Sequence, residues 1–225
     1  MNKQFKPIKT WYKGIPFRSR LEARWAVFFD RLGIEWEYEP QGYGNGYLAY
    51  LPDFKVKCWG VRGEAYLEKP FDLYIEVKGE MNDSDAEKIR AFSGLECWEE
   101  ICQAFLCSDC EQDYGDCPHG WRSQEPRFRR PVLVVGNIPY VQTVDDVYGN
   151  STDMDPYKPM NGTSIYPFNY ETIDGDHFGA YPTVTTDGKF FLMGDDMSYV
   201  GGNLEKVFEA YKAARAARFE HGEKG

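Results

Sequence analysis

No stretch of this sequence approaches the roughly eighteen consecutive apolar residues that a membrane-spanning helix needs. The first residues, Met-Asn-Lys-Gln-Phe-Lys-Pro, lack a hydrophobic segment of signal-peptide type. The expectation is a cytoplasmic protein with no membrane partner. In that compartment the six cysteines count as thiols or metal ligands rather than disulfides. Histidine is scarce, with three in 225 residues. His177 and His221 stand alone and read as a loop and a helix-end residue. Positive charge is in deficit, 26 Lys and Arg against 36 Asp and Glu, which argues against a general nucleic-acid binder. Residues 137–200, rich in Pro, Gly, Asn, Asp and Tyr, contain no repeat and no true low-complexity segment.

What is present is concentrated. Apolar residues make up 42% of the chain, enough for a core, and the length suits one domain or a domain with a sizeable insert. The deficit of cations is not uniform. Residues 1–31 carry Lys3, Lys6, Lys9, Lys13, Arg18, Arg20, Arg24 and Arg31 against only Glu22 and Asp30. Residues 122–130 add Arg122, Arg127, Arg129 and Arg130 against Glu125. A basic face on an acidic protein suits a phosphate backbone, with salt-sensitive affinity; a merely solvated basic end is the other reading.

Two short stretches carry charge where a strand should bury surface. One is Leu51-Pro52-Asp53-Phe54 and the other is Tyr74-Ile75-Glu76-Val77-Lys78-Gly79. Side chains alternate along a strand, so Glu76 and Lys78 share one face while Ile75 and Val77 share the other. If Asp53 lies on the neighbouring strand, two carboxylates and an ammonium converge. Buried carboxylates in contact repel unless a cation sits between them. All-oxygen ligands favour Mg²⁺ or Mn²⁺ over zinc. The other reading is a surface strand with a cross-strand ion pair.

Around these stretches the pattern predicts an α+β fold. Residues 1–16 read as a basic extended arm broken by Pro7 and Pro16. A helix runs from about Ser19 to Leu32, with Leu21, Trp25, Phe28, Phe29 and Leu32 at helical spacing and Gly33 as its stop. Ser19-Arg20-Leu21-Glu22 fits a capping box, which alone would account for Glu22. A strand follows over Ile34–Glu39, a second over Tyr47–Cys58 and a third over Phe71–Lys78, as an antiparallel meander. Helical character from Asp85 to about Phe105 leads to a buried strand in Arg130–Gly136. The expected core is thus a mixed sheet of element order α-β-β-β-α-β flanked by helices, over residues 17–138. It holds a Cys-rich insert at about 97–122. Residues 139–225 form a C-terminal irregular and β extension. Its legible parts are a hairpin, Thr183–Thr185 and Phe190–Met193 about Asp187-Gly188, and a final helix over 203–221 capped by Asn203.

Together, Pro52-Asp53, Glu76-Val77-Lys78 and the helical Glu22 resemble the signature of the PD-(D/E)XK nuclease superfamily, whose core is restriction-endonuclease-like. The run from Phe17 to Ala26, followed by a strand ending Tyr38-Glu39-Pro40, resembles a subgroup found in phages and mobile elements, which is similar to phage junction-resolving and transposon-end-cutting endonucleases. The resemblance spans 17–79 closely, 80–138 in outline, and does not extend over 139–225. It implies that Glu22, Asp53 and Glu76 bind Mg²⁺ or Mn²⁺, with the Val77 carbonyl as a further ligand. It implies that Lys78 orients or deprotonates water, or stabilises the transition state. An ammonium beside a metal would have a lowered pKa. The implied activity is metal-dependent cleavage of duplex or branched DNA by a monomer or homodimer, with Lys9, Lys13, Arg18, Arg20 and Arg24 on the nucleic acid. Two alternatives stand beside it: a non-catalytic interaction protein on a nuclease-like scaffold, and a structural zinc protein. For the latter, Cys107, Cys110, Cys117 and His119 are candidate ligands of a tetrahedral site, with plain thiols as the other reading.

Overall fold

The computed structural model describes residues 8–44, 49–59, 61–62, 65–66, 70–79, 82, 84–85, 88–89, 92, 132–149, 163–166, 180–194 and 202–219. They form a mixed α+β fold around one multi-stranded sheet. None of their helices is long and apolar enough to cross a membrane.

The chain enters through a hairpin of β1 (Thr10–Tyr12) and β2 (Ile15–Phe17). Its two-residue loop, Lys13-Gly14, has φ of 47° and 80°. Both values are positive, which matches the right-handed twist of paired strands. The extended arm expected over 1–16 is therefore a paired element from residue 10 onward. Tyr12 and Phe17 turn into the core, and Trp11 stays out.

α1 (Arg20–Leu32) begins where Ser19 Oγ accepts from the Glu22 amide at 3.1 Å. It stops at Gly33, whose φ of 73° is a left-handed conformation that needs no side chain. The sheet follows with β3 (Trp36–Tyr38), β6 (Phe54–Cys58), β9 (Phe71–Val77), β10 (Val132–Val135) and β11 (Thr163–Tyr166), in spatial order β11-β10-β9-β6-β3. β3–β6–β9 is the expected antiparallel meander. β10 joins parallel to β9, and β11 adds antiparallel at the outer edge. The expected second strand is interrupted at Leu51-Pro52-Asp53. Before the break, β5 (Ala49–Tyr50) pairs with β4 (Tyr43–Gly44). A small ladder of β7 (Val61–Arg62) and β8 (Ala65–Tyr66) lies between β6 and β9.

Strand alternation sorts the core into two layers. Phe54, Val56, Leu73, Ile75, Leu133 and Val135 face the layer shared with α1. Tyr74, Val132 and Val134 face the other, with Tyr50, Ile89 and Phe92. β10 is buried on both sides, as its uninterrupted apolar run predicts. Of the helix expected from Asp85 to Phe105, positions 84–85, 88–89 and 92 are helical; the rest lies outside the described residues.

The short α2 (Asp146–Gly149) follows the sheet. The expected hairpin is present as β12 (Ala180–Val184) and β13 (Phe190–Gly194). It attaches to the sheet where the Trp59 amide donates to Phe190 O at 2.7 Å. The final helix, α3 (Leu204–Ala216), starts at Asn203, whose side chain accepts from the Lys206 amide. It ends at Ala216, five residues before the expected position. Its buried side chains Val207, Ala210, Tyr211 and Ala214 belong to the same cluster as those of α1.

Candidate active site

The site lies where β6 begins and β9 ends. Phe54 pairs with Ile75 across the two strands and turns into the α1 layer. The preceding residue, Asp53, must then face the opposite way, beside Glu76. Asp53 Oδ2 accepts the Val77 amide at 2.7 Å, which ties the two strands at this point. Glu76 Oε1 meets Lys78 Nζ at 3.0 Å, and Lys78 reaches Asp85 Oδ1 at 3.4 Å. The Lys78 amide donates to Val135 O at 2.8 Å, so β10 holds the end of β9 in place. Glu22 approaches from the first turn of α1. The structure thus brings Asp53, Glu76 and Lys78 together, with Glu22 close enough for its charge to act on Asp53. The three carboxylate residues are between 3% and 6% exposed.

Among the described residues, four further side chains reach this cluster, in roles the sequence pattern did not give them. Tyr50 donates to Glu76 Oε2 at 2.7 Å, and Tyr38 donates to Glu22 Oε2 at 2.5 Å. Arg18 pairs with Asp53 Oδ1 through Nη2 and with Glu39 Oε1 through Nε at 3.0 Å. Glu39 holds a φ of 46°, an uncommon conformation outside glycine, and its amide donates to Asp53 O at 2.9 Å. The β4–β5 ladder delivers Tyr50, and the exit of β3 delivers Tyr38 and Glu39. Arg18, Tyr38 and Glu39 fall within the runs that carry the resemblance; Tyr50 has no such signal.

Among the described residues, five carboxylates, Glu22, Glu39, Asp53, Glu76 and Asp85, share two cationic side chains, Arg18 and Lys78. The deficit shows in the protonation of Asp53. Burial pushes its carboxyl up to about 8, and the charges of Glu76 and Glu22 add to the shift. The Val77 amide and Arg18 act in the opposite sense without cancelling it. For Lys78, burial works against the charged form, but the carboxylates of Glu76, Asp85 and Asp53 outweigh it and raise its pKa. Tyr50 is also raised, first by burial and then by Glu76.

A protonated buried carboxyl has a thermodynamic signature. The folded protein holds the Asp53 proton from the unfolded value near ~4 up to about 8, whereas the unfolded chain does not. Stability from Asp53 is full below ~4 and is lost as pH rises through that window. The melting temperature of metal-free protein should therefore fall between about pH 5 and 8. The fall should be shallower in Asp53→Asn; an equal slope in both proteins would assign it to other groups.

The oxygen donors of Asp53 and Glu76 are of the kind a hard divalent cation takes, and among the described residues the carboxylates outnumber the two cations beside them. Asp53 and Glu76 would hold the ion, with Glu22 beside them and Val77 at the end of β9 alongside. Among the described residues, no three His, Cys, Asp or Glu side chains stand together so as to hold a metal ion, so the expected trio of Glu22, Asp53 and Glu76 is not assembled as one ligand group. The Arg18 guanidinium stands among three of the acidic groups. It would compete with a cation, so Arg18→Gln is expected to tighten Mn²⁺ binding by about tenfold in calorimetric titration. Unchanged affinity would show that Arg18 does not compete.

The basic residues of the N-terminal segment divide. Lys13 pairs with Asp30 at 2.9 Å, Arg18 lies in the acidic site, and Lys9 is exposed. Arg20 and Arg24 lie on α1. The candidate zinc ligands Cys107, Cys110, Cys117 and His119 lie outside the described residues. Cys58, the one cysteine among the described residues, is buried in the core, and burial raises its thiol pKa. No protein-family model, characterised protein or solved structure matches this chain.

Proposed function

We propose that this protein is a metal-dependent DNA endonuclease with a restriction-endonuclease-like core of the PD-(D/E)XK type. The observation that carries it is the meeting of Asp53, Glu76 and Lys78, from two neighbouring strands, in one buried pocket short of positive charge. The antiparallel meander β3–β6–β9, preceded by α1 and extended by the parallel β10, is the element order the resemblance implies. Cleavage of branched DNA during phage or mobile-element processing, a homodimeric form and a cytoplasmic location belong to the same proposal.

A bound Mg²⁺ or Mn²⁺ supplies Lewis acidity toward a phosphate oxygen and acidifies bound water. The chain does the rest. Tyr50 orients Glu76, and the Val77 amide orients Asp53, each through a single short hydrogen bond. Lys78 is held by Glu76 and Asp85 on the face of the pocket that remains partly open. With its pKa raised by those carboxylates, its amine is an ammonium in the metal-free site. The lowered pKa expected beside a metal is not the state of that site. The charge suits Lys78 to stabilising negative charge on a phosphate as the transition state forms, rather than to abstracting a proton.

A non-catalytic scaffold is the second reading, and one observation favours it: Arg18 and Lys78 already pair with the acidic cluster. Titration with Mn²⁺, together with incubation of duplex and branched DNA in Mg²⁺, separates the two. Millimolar-or-tighter Mn²⁺ binding with Mg²⁺-dependent cleavage supports the endonuclease. Absence of both supports the inert scaffold.

A further inference from the structure

The start of α1 carries two arginines where a helix least favours cations. Arg20 is its first residue and Arg24 lies one turn on, and the aligned peptide dipoles make that end positive. α1 and α3 run antiparallel. Lys206, near the start of α3, donates to Leu32 O at the end of α1 at 2.7 Å. Between the ends, Phe28 and Tyr211 stack with centroids 4.6 Å apart. Four residues back from Phe28 along α1 is Arg24, and four residues forward from Tyr211 along α3 is Arg215. Each is one turn from the stack toward the same end of the pair. Arg20 and Arg218 follow beyond them.

Arg24 shows the consequence. Its Nε is buried with no hydrogen-bond partner among the described residues. Burial lowers its pKa, and among the described residues the like charges of Arg218, Arg20 and Arg215 add to that. Arg215 and Arg218 have local uses. Arg215 donates to Ile138 O at 3.1 Å and covers the Tyr140 ring at 5.0 Å. Arg218 donates to Ala216 O at 3.4 Å. Neither contact explains a half-buried guanidinium at the positive end of another helix.

A half-buried guanidinium whose Nε has no hydrogen-bond partner among the described residues, set beside like charges, destabilises the protein alone, and an external anion at Arg24 offsets this. The guanidinium fork matches phosphate oxygens in particular. We propose that Arg20, Arg24, Arg215 and Arg218 form a phosphate-binding site that grips the nucleic-acid backbone beside the point of cleavage. This rests on the endonuclease reading. Arg18 and Glu22 leave the same end of α1 toward the acidic pocket, so the two sites flank one helix end. A helix width of about 10 Å separates such faces, roughly three base-pair rises along a strand. The C-terminal helix thereby becomes part of the substrate surface, and basic residues from both ends of the chain meet on an otherwise acidic protein.

The test uses the full chain carrying Glu76→Gln, so that DNA is bound without being cut. A labelled duplex is titrated at several salt concentrations with Mn²⁺ present. Adding Arg24→Met should weaken binding by about tenfold and reduce the salt slope by about one. The same substitution should raise the melting temperature, because it removes a half-buried charge set beside like charges. A residue needed only for the fold would lower it. Arg215→Gln, at an exposed position, should weaken binding in the same way. Inorganic phosphate should raise the melting temperature of the parent and not of Arg24→Met. If the parent binds DNA and both substitutions leave affinity and slope unchanged, the phosphate site is overturned. If phosphate stabilises while DNA affinity is insensitive, the site serves a free anion and the backbone assignment is overturned. If the parent binds no DNA at all, the endonuclease reading itself fails and this site falls with it.

Discussion

Glu76→Gln is expected to abolish Mg²⁺-dependent DNA cleavage, by about 10³-fold or more, and to leave the fold intact. The substitution keeps the shape of the side chain. Its carbonyl oxygen can still accept from Tyr50, which bonds Glu76 Oε2 at 2.7 Å in the native protein. What is lost is charge. A neutral amide is a weak ligand for a hard cation, and it no longer pairs with Lys78, whose Nζ lies 3.0 Å from Glu76 Oε1. The repulsion between Glu76 and the other carboxylates, Asp53 first among them, is removed. The metal-free variant should therefore melt at the same temperature as the native protein or higher, since removing one of several crowded buried charges relieves repulsion. The opposed effects on activity and stability separate this outcome from simple unfolding. Cleavage assays beside thermal melts check it, and cleavage within tenfold of native would remove Glu76 from the active site.

The largest loss of stability should come from Trp25→Ala. Trp25 is fully buried between α1, α3 and the end of the sheet. Its ring lies 5.1 Å from Phe28 and 6.3 Å from Tyr211, edge to face. Its Nε1 donates to Gly136 O, just past β10, at 2.8 Å. Truncation leaves a cavity, at a cost of about 3–5 kcal/mol. It also leaves the Gly136 carbonyl unpaired, for roughly 1–3 kcal/mol more unless water enters. Against a total stability of about 5–15 kcal/mol, either share is large. The expected fall in melting temperature is ~10 °C or more. Trp25→Phe would keep most of the apolar contact and lose the hydrogen bond, so it should lie between native and Trp25→Ala. Urea titration of the three proteins measures the order; a Trp25→Ala cost under about 1 kcal/mol would mean the α1–α3 contact does not hold the fold together.

Much of the fold was legible because its signals are local. Ser19 and Gly33 bracket α1 through side-chain capping and a left-handed turn. The continuous apolar run of Val132–Val135 announces a strand covered on both faces. Asp187-Gly188 between apolar runs announces a hairpin. Other elements carry no such local signal. Thr163–Tyr166 is short and set among glycine, proline and asparagine, and becomes a strand only because β10 offers it an unpaired edge. Pro16 suggested an interruption, yet it sits in β2 opposite Trp11, where the hairpin tolerates a missing donor. Leu51-Pro52-Asp53 read as strand interior and is in fact the break that turns Asp53 into the site.

Strand alternation by itself puts Glu76 and Lys78 on one face, because that geometry follows from the backbone alone. It also set Ile75 and Val77 apart from them, and it marked α1 by its periodic apolar side chains. The partners of the acidic residues followed a different rule. Arg18, Tyr38, Glu39 and Tyr50 reach the pocket from a loop, from the exit of β3 and from a two-stranded ladder, and nothing in their spacing says so. The same holds for Arg24 and Arg215, nearly two hundred positions apart, which meet because two helices stack antiparallel through Phe28 and Tyr211. Short-range pattern fixes which way a side chain points from its own element. Which charges then face one another depends on how the elements dock, and docking is decided by burial of apolar surface over the whole chain.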